Sequence, residues 1–178
     1  MARILYISYD GIAEPLGQSQ IIAYLKKLAD ENIIHIISFE KTIHLNSDNL
    51  IEELQANLKK FGINWTIMRY HKRFSVIATL YDIFRGQIIA LKLSKKIQTE
   101  IVHVRSYIPA LIALPLKWLT NAKFLFDIRG FWADERVDGG IWPINGIVYR
   151  VVKRLERYLF RASDHVVTLT EHSVSKIK

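Results

Sequence analysis

Cysteine is absent from the 178 residues, so neither a disulfide framework nor a thiolate metal site is open to this chain. A reducing compartment costs it nothing, and the cytoplasm is the expected location. Also missing is any run near the ~20 apolar residues that cross a bilayer, because the stretch from Ile108 to Leu116 is closed by Lys117. The amino terminus lacks a secretory pattern, since Ser8 and Asp10 interrupt the apolar stretch after Arg3 almost at once. There is no internal repeat, no low-complexity tract and no long Gly/Ser linker. Neither the dinucleotide fingerprint G-x-G-x-x-G nor a phosphate-loop G-K-[ST] occurs, which argues against a dehydrogenase or an ATPase.

What is present is a basic, half-hydrophobic chain sized for one core, expected as a single domain over residues 1–178. Its charge is lopsided. Residues 1–58 hold 4 Lys/Arg against 8 Asp/Glu, whereas residues 59–178 hold 21 against 9. Such a field favours an anionic partner: a nucleic acid, an acidic lipid surface or a phosphorylated substrate.

Apolar runs at Arg3–Tyr9, Ile33–Phe39, Asn64–Arg69, Ile101–Arg105, Lys123–Ile128 and His165–Leu169 read as strands. Between them lie helical patterns around Ile21–Ala29, Asp48–Phe61, Val76–Lys96, after Pro109, and over Gly146–Ala162, with the first turns of another helix after the last strand. This alternation predicts an α/β fold, a doubly wound, mostly parallel sheet with helices on both faces. Gly130–Asn145, rich in Gly, Trp and charge, reads as a functional loop or lid.

In such sheets ligands collect beyond the carboxyl ends of the strands. Three loops there are unusually furnished. The first, Asp10 to Gln20, brings Gly17 and Ser19 to the start of a helix, where free N–H groups hold anions; an ordinary Gly-rich turn with Ser19 as N-cap accounts for the same residues equally well. In the fourth strand His103 and Arg105 share one face; a lone strand histidine is usually a hydrogen-bonded structural residue, and His103 is promoted by Arg105 and its place near the strand end. The strongest signal is Asp127 to Arg136, where Arg129, Asp134, Glu135, Trp132, Phe131 and Arg136 crowd a strand end and its loop. Arginine forks bind phosphate, aromatic faces stack on sugars, and carboxylates accept from hydroxyls; a solvated ion-pair network pinned by Trp132 is the structural alternative.

The opening ILYISYDG and PLGQSQ, together with FDIRGFWADERVDGG, resemble the amino-terminal domain of bacterial family 4 glycosyltransferases, and the match extends over essentially the whole chain, through the segment Glu156 to Thr170. The resemblance implies the Rossmann-like amino-terminal half of a GT-B fold, an acceptor-binding half whose glycine loop around Gly17 lies near the donor phosphates. A carboxyl-terminal donor domain, absent from this chain, would bind the nucleotide sugar. It also implies retention of anomeric configuration, no metal, no cofactor beyond the nucleotide-sugar co-substrate, and a glycan or lipid-linked acceptor. Two positions depart from the commoner pattern: Leu16-Gly17 replaces a tandem glycine, and Arg129 stands where many members have histidine, so a histidine-centred mechanism does not carry over.

On this reading Arg129, Asp134 and Glu135 are the candidate catalytic residues, Gly17 and Ser19 contact the donor, and Asp10, His103, Arg105 and Trp132 bind acceptor. Separately, Arg150, Arg154, Arg157 and Arg161 form one stripe of the helix over Gly146–Ala162, with Val148, Val151, Val152, Leu155 and Leu159 on another. A core-packed helix with a solvated cationic face fits that pattern. With the basic segments Arg69–Arg73 and Lys92–Lys96, it also admits peripheral attachment to the inner face of the plasma membrane through anionic lipid. The competing class is a non-catalytic basic module for nucleic acid or anionic membrane; the lack of a recognisable reading motif counts against nucleic acid.

Overall fold

The computed structural model describes residues 1–71 and 75–177, so residues 72 and 73 of the basic segment Arg69–Arg73 lie outside the described residues. Six strands, β1 (Arg3–Ser8), β2 (Ile33–Glu40), β3 (Asn64–Arg69), β4 (Ile101–Arg105), β5 (Lys123–Ile128) and β6 (His165–Thr168), form one sheet in the order β3-β2-β1-β4-β5-β6. Every pairing is parallel, as the doubly wound reading requires. Strand order reverses between β1 and β4, which opens a crevice at their carboxyl ends.

The near-continuous Ile, Leu and Phe of the central strands follow from burial on both faces. One face carries Leu5, Ile7, Phe39, Val104, Phe124 and Phe126, covered by α5 (Ser75–Ile97), α6 (Tyr107–Leu119) and α8 (Ile147–Ala162). Helices α5 and α6 meet where Gly86 lies against Ile112, and a Cβ there would come within 2.8 Å of the Ile112 Cδ1. Pro115 inside α6 removes the N–H that would bond the Leu111 carbonyl, and the Gln87 amide donates to that oxygen instead, at 3.1 Å.

The other face carries Ile4, Tyr6, Ile34 and Ile36 beneath a helical stretch in which α1 (Pro15–Gly17) passes through a π turn at Gln18–Ile22 into α2 (Ala23–Leu28), and beneath Leu58 of α4 (Asp48–Lys60). That cover reaches β4, where Tyr24 of α2 lies against His103, and thins beyond it. On the same side of β5 and β6, Leu125 is half-buried and Val167 is 46% exposed.

A short helix, α3 (Thr42–Leu45), follows β2, and α9 (Glu171–Ile177) follows β6. Two sequence expectations are refined. The loop from Gly130 to Asn145 contains a helix, α7 (Trp132–Asp138). In α8 only the carboxyl-terminal half of the apolar stripe packs inward: Leu159 is buried and Val152 and Leu155 are half-buried, while Val148 and Val151 are 54% and 60% exposed. Among the described residues no helix is long and apolar enough to cross a membrane.

Candidate functional site

The loop after β1 is held by a residue far from it in sequence. Glu40, fully buried at the end of β2, accepts from the Ile12 N–H at 2.8 Å and the Ala13 N–H at 3.3 Å. Ser38 donates its hydroxyl to Glu40 at 2.6 Å, and the Trp65 indole N–H donates to Ser38 at 2.8 Å. Gly11 is needed here, because a Cβ on it would fall 2.5 Å from the Glu40 Oε2. Gly17 is needed for the same loop: its Cβ would overlap the Gly11 carbonyl and reach within 2.6 Å of the Ile12 Cα. The helix starts at Pro15 with Glu14 as N-cap. Ser19 therefore sits inside the π turn rather than capping it, and its hydroxyl donates back to the Pro15 carbonyl at 2.9 Å.

Beyond the crevice this loop meets the ends of β4 and β5. The Arg129 guanidinium reaches the Asp10 carboxylate at 3.3 Å, both side chains well exposed. Arg105, buried, donates to the Gln20 side chain at 2.7 Å, while its Nε has no hydrogen-bond partner among the described residues. Asp127, paired in register with Arg105, is buried beside it; burial raises its pKa and the charges of Arg105 and Arg129 pull against that rise. Two adjoining hollows result. A small one of ≈ 80 Å³ is lined by Asp10, Gly11, Gly17, Gln20, Arg105 and Arg129. A wider one of ≈ 390 Å³, sharing Asp10 and Arg129, is lined by Ser106, Tyr107, Gly130, Trp132 and Glu135.

Trp132 borders the wider hollow while its ring is steadied by Trp142 at 5.0 Å, Tyr107 at 6.2 Å and the Arg136 guanidinium at 5.7 Å. Glu135 folds its carboxylate over Gly130, into the space a Cβ would fill. The adjacent acid has a different fate. Successive residues on a helix point about 100° apart, and Asp134 faces α8, accepting from the Tyr149 hydroxyl at 2.9 Å and pairing with Lys153 at 3.1 Å. Lys153 also pairs with buried Glu156, which accepts a 2.5 Å bond from the Tyr107 hydroxyl. Burial opposes the Lys153 charge, but the two carboxylates outweigh it and raise its pKa. This network clamps α7 and the start of α6 onto α8.

His103 shares a face with Arg105 as the strand period requires, yet it lies under α2 with its ring against Tyr6 at 4.8 Å and Tyr24 at 6.1 Å, and it lines neither hollow. Burial, then the Arg105 charge, lowers its pKa to about 4, so it is neutral at physiological pH. The structure thus brings Asp10, Gly17, Arg105, Arg129, Trp132 and Glu135 together, and leaves His103, Ser19 and Asp134 outside. Among the described residues no three or more His, Asp or Glu group as metal ligands would. Sequence reading passed over Glu40, for which an acid ending a hydrophobic strand was the available signal, and marked Glu156 only as the start of the closing segment, without a role.

No protein-family model and no curated protein matches the sequence. Among solved structures the chain is similar to a glycosyltransferase from Rickettsia africae, with a TM-score of 0.52 and 20% identity, covering 98% of this chain and 48% of that one. A spinosyn rhamnosyltransferase complexed with thymidine diphosphate aligns at a TM-score of 0.46 and 10% identity, over 94% and 45% of the two chains. The first likeness establishes a shared Rossmann-like fold, and this chain spans about half the length of the rickettsial protein.

Proposed function

We propose that the chain is the acceptor-side half of a retaining GT-B glycosyltransferase, moving a hexosyl group from a nucleotide sugar to a glycan or lipid-linked acceptor. The observation that carries this reading is the convergence, at the point where strand order reverses, of loops after β1, β4 and β5 on one open hollow holding Arg129, Asp10, Glu135 and Trp132. A cation, two carboxylates and an aromatic face around ≈ 390 Å³ suit a sugar with its hydroxyls better than a flat base or a purely anionic ligand. The half-length match to a glycosyltransferase chain, and the poorly covered face of β5 and β6, support a second domain closing over this edge.

In this reading Arg129 faces the charge that develops on the leaving phosphate, Asp10 and Glu135 accept from acceptor hydroxyls, and Trp132 is the sugar platform. The small hollow beside Gly17 and Arg105 takes the donor phosphates. Asp134 serves the frame instead, holding α7 to α8. The 178-residue chain should therefore fold, bind nucleotide sugar at most in the millimolar range, and show no transfer, because positioning of the donor supplies much of the rate. Turnover by the chain alone would overturn the two-domain assignment.

A peripheral membrane contact is part of the proposal. Ile147, Val148 and Val151 are exposed on the first two turns of α8 beside exposed Arg150, Arg154 and Arg157, the composition of an interfacial helix. Lys95 and Lys96 lie elsewhere, at the end of α5 that leads into the amino-terminal start of β4.

A further inference from the structure

We infer that the Ser106 hydroxyl is a direct acceptor contact, presented to the sugar by a strained backbone; the inference rests on the acceptor reading of the wider hollow. Ser106 has φ 74° and ψ 177°. That region belongs essentially to glycine, and a residue with a Cβ there is strained. Around it the backbone is fixed on every side. The Ser106 N–H donates to the Asp127 carbonyl at 2.9 Å, its own carbonyl accepts from the Ala110 N–H at 3.2 Å, and the next residue, Tyr107, is tied to Glu156 at 2.5 Å.

Folding alone gives no reason for serine at this position. Glycine would adopt the same dihedral angles without strain. Capping does not explain it either: Ser106 is the N-cap of α6, among the best residue types for that task, yet its side chain makes no capping bond. The hydroxyl has no hydrogen-bond partner among the described residues, and Ser106 lines the hollow shared with Asp10, Arg129, Trp132 and Glu135. Strained non-glycine residues held by an over-determined surround cluster at active sites and ligand clamps. The neighbouring groups supply one cation and two carboxylates; a small neutral hydroxyl, able both to donate and to accept, matches a sugar hydroxyl.

The experiment uses the 178-residue chain labelled with ¹⁵N, titrated with glucose, galactose, mannose, rhamnose, N-acetylglucosamine and their disaccharides. Amide shifts of Tyr107 and Gly130 and the indole signal of Trp132 are followed. Wild-type, S106A, S106G and R129A chains are compared, with melting temperatures measured on the same samples. The expected result is that a sugar shifts these signals in the wild type, that S106A and S106G bind it about fivefold more weakly, the worth of one neutral hydrogen bond, and that S106G melts about 2 to 4 °C higher as strain is released. Unchanged sugar affinity in S106A and S106G, with R129A weakened, would overturn the role of Ser106 and leave the acceptor hollow standing. A lower melting temperature in S106G would remove the strain argument and the inference with it. If no sugar moved the signals in the wild type, the acceptor reading itself would fall, and this inference too.

Discussion

Truncating Arg129 should damage transfer far more than folding, and the structure says why. Its ion pair with Asp10 spans 3.3 Å between side chains 38% and 59% exposed. Exposed pairs contribute about 0 to 1 kcal/mol, so Arg129→Ala should lower the melting temperature by no more than about 4 °C in a domain of this size. Buried Asp127 loses one of two neighbouring cations, but Arg105 remains to oppose its protonation. A charge-assisted contact formed with the leaving phosphate is different in scale: its loss adds roughly 2 to 4 kcal/mol to the barrier, about a hundredfold in rate. Glu156→Ala is the contrast. That carboxylate is buried, accepts from Tyr107, and pairs with Lys153. Removing it leaves Lys153 half-compensated by Asp134 and should cost about 3 to 5 kcal/mol of stability. Thermal unfolding and single-turnover transfer are to be measured on the same preparations of the proposed two-domain polypeptide. The reasoning is refuted if Arg129→Ala melts far below wild type while the folded fraction transfers sugar at the wild-type rate.

Three further outcomes are expected. Gly17→Ala should destabilise by about 2 kcal/mol or more, because its Cβ meets backbone at Gly11 and Ile12, whereas Gly130→Ala should leave the melting temperature nearly unchanged, since only the movable Glu135 carboxylate stands in the way, and should lower transfer by displacing it; denaturation curves and initial rates separate the two. His103 has a folded pKa lowered to about 4 from an ordinary 6.5, so the unfolded chain binds a proton that the folded chain refuses; this stability is present above 6.5 and is lost as pH falls towards 4. The loss is roughly 3 kcal/mol for this site, and His103→Phe should flatten the fall in urea-unfolding free energy across that window, though only in part, because His35, also lowered to about 4, follows the same course. Vesicles containing anionic lipid should bind the chain and release it as salt rises, each nearby cation contributing about 1 kcal/mol within a Debye length; reversing the charge of Arg150, Arg154 and Arg157 should weaken binding, and equal binding to neutral and anionic vesicles in a flotation assay would return α8 to a plain solvated surface.

The sheet was legible because strands buried on two faces are continuous apolar runs that mark themselves. The furnished loop after β5 was legible because so many Arg, Asp, Glu and Trp residues rarely serve folding alone. Where reading along the chain stopped short, the missing information was three-dimensional. Asp134 and Glu135 look equivalent in sequence, yet α7 turns one towards Lys153 and the other over Gly130. Periodicity places Val148 and Val151 on one stripe with Leu159, but not what that stripe meets: Leu159 is buried, while Val148 and Val151 are left exposed. Glu40 acts on backbone N–H groups 28 and 27 residues earlier in the chain, a relation no local pattern encodes. The strain at Ser106 has no compositional signature at all.

The central claim is tested most directly by sugar transfer from labelled nucleotide sugars to extracted glycan and lipid-linked acceptors, assayed with the proposed two-domain polypeptide and with the 178-residue chain in parallel. Transfer with retention of anomeric configuration by the former, slowed about a hundredfold by Arg129→Ala, with none by the latter, is the predicted result. Transfer by the chain alone, or two-domain activity indifferent to Arg129, would contradict it.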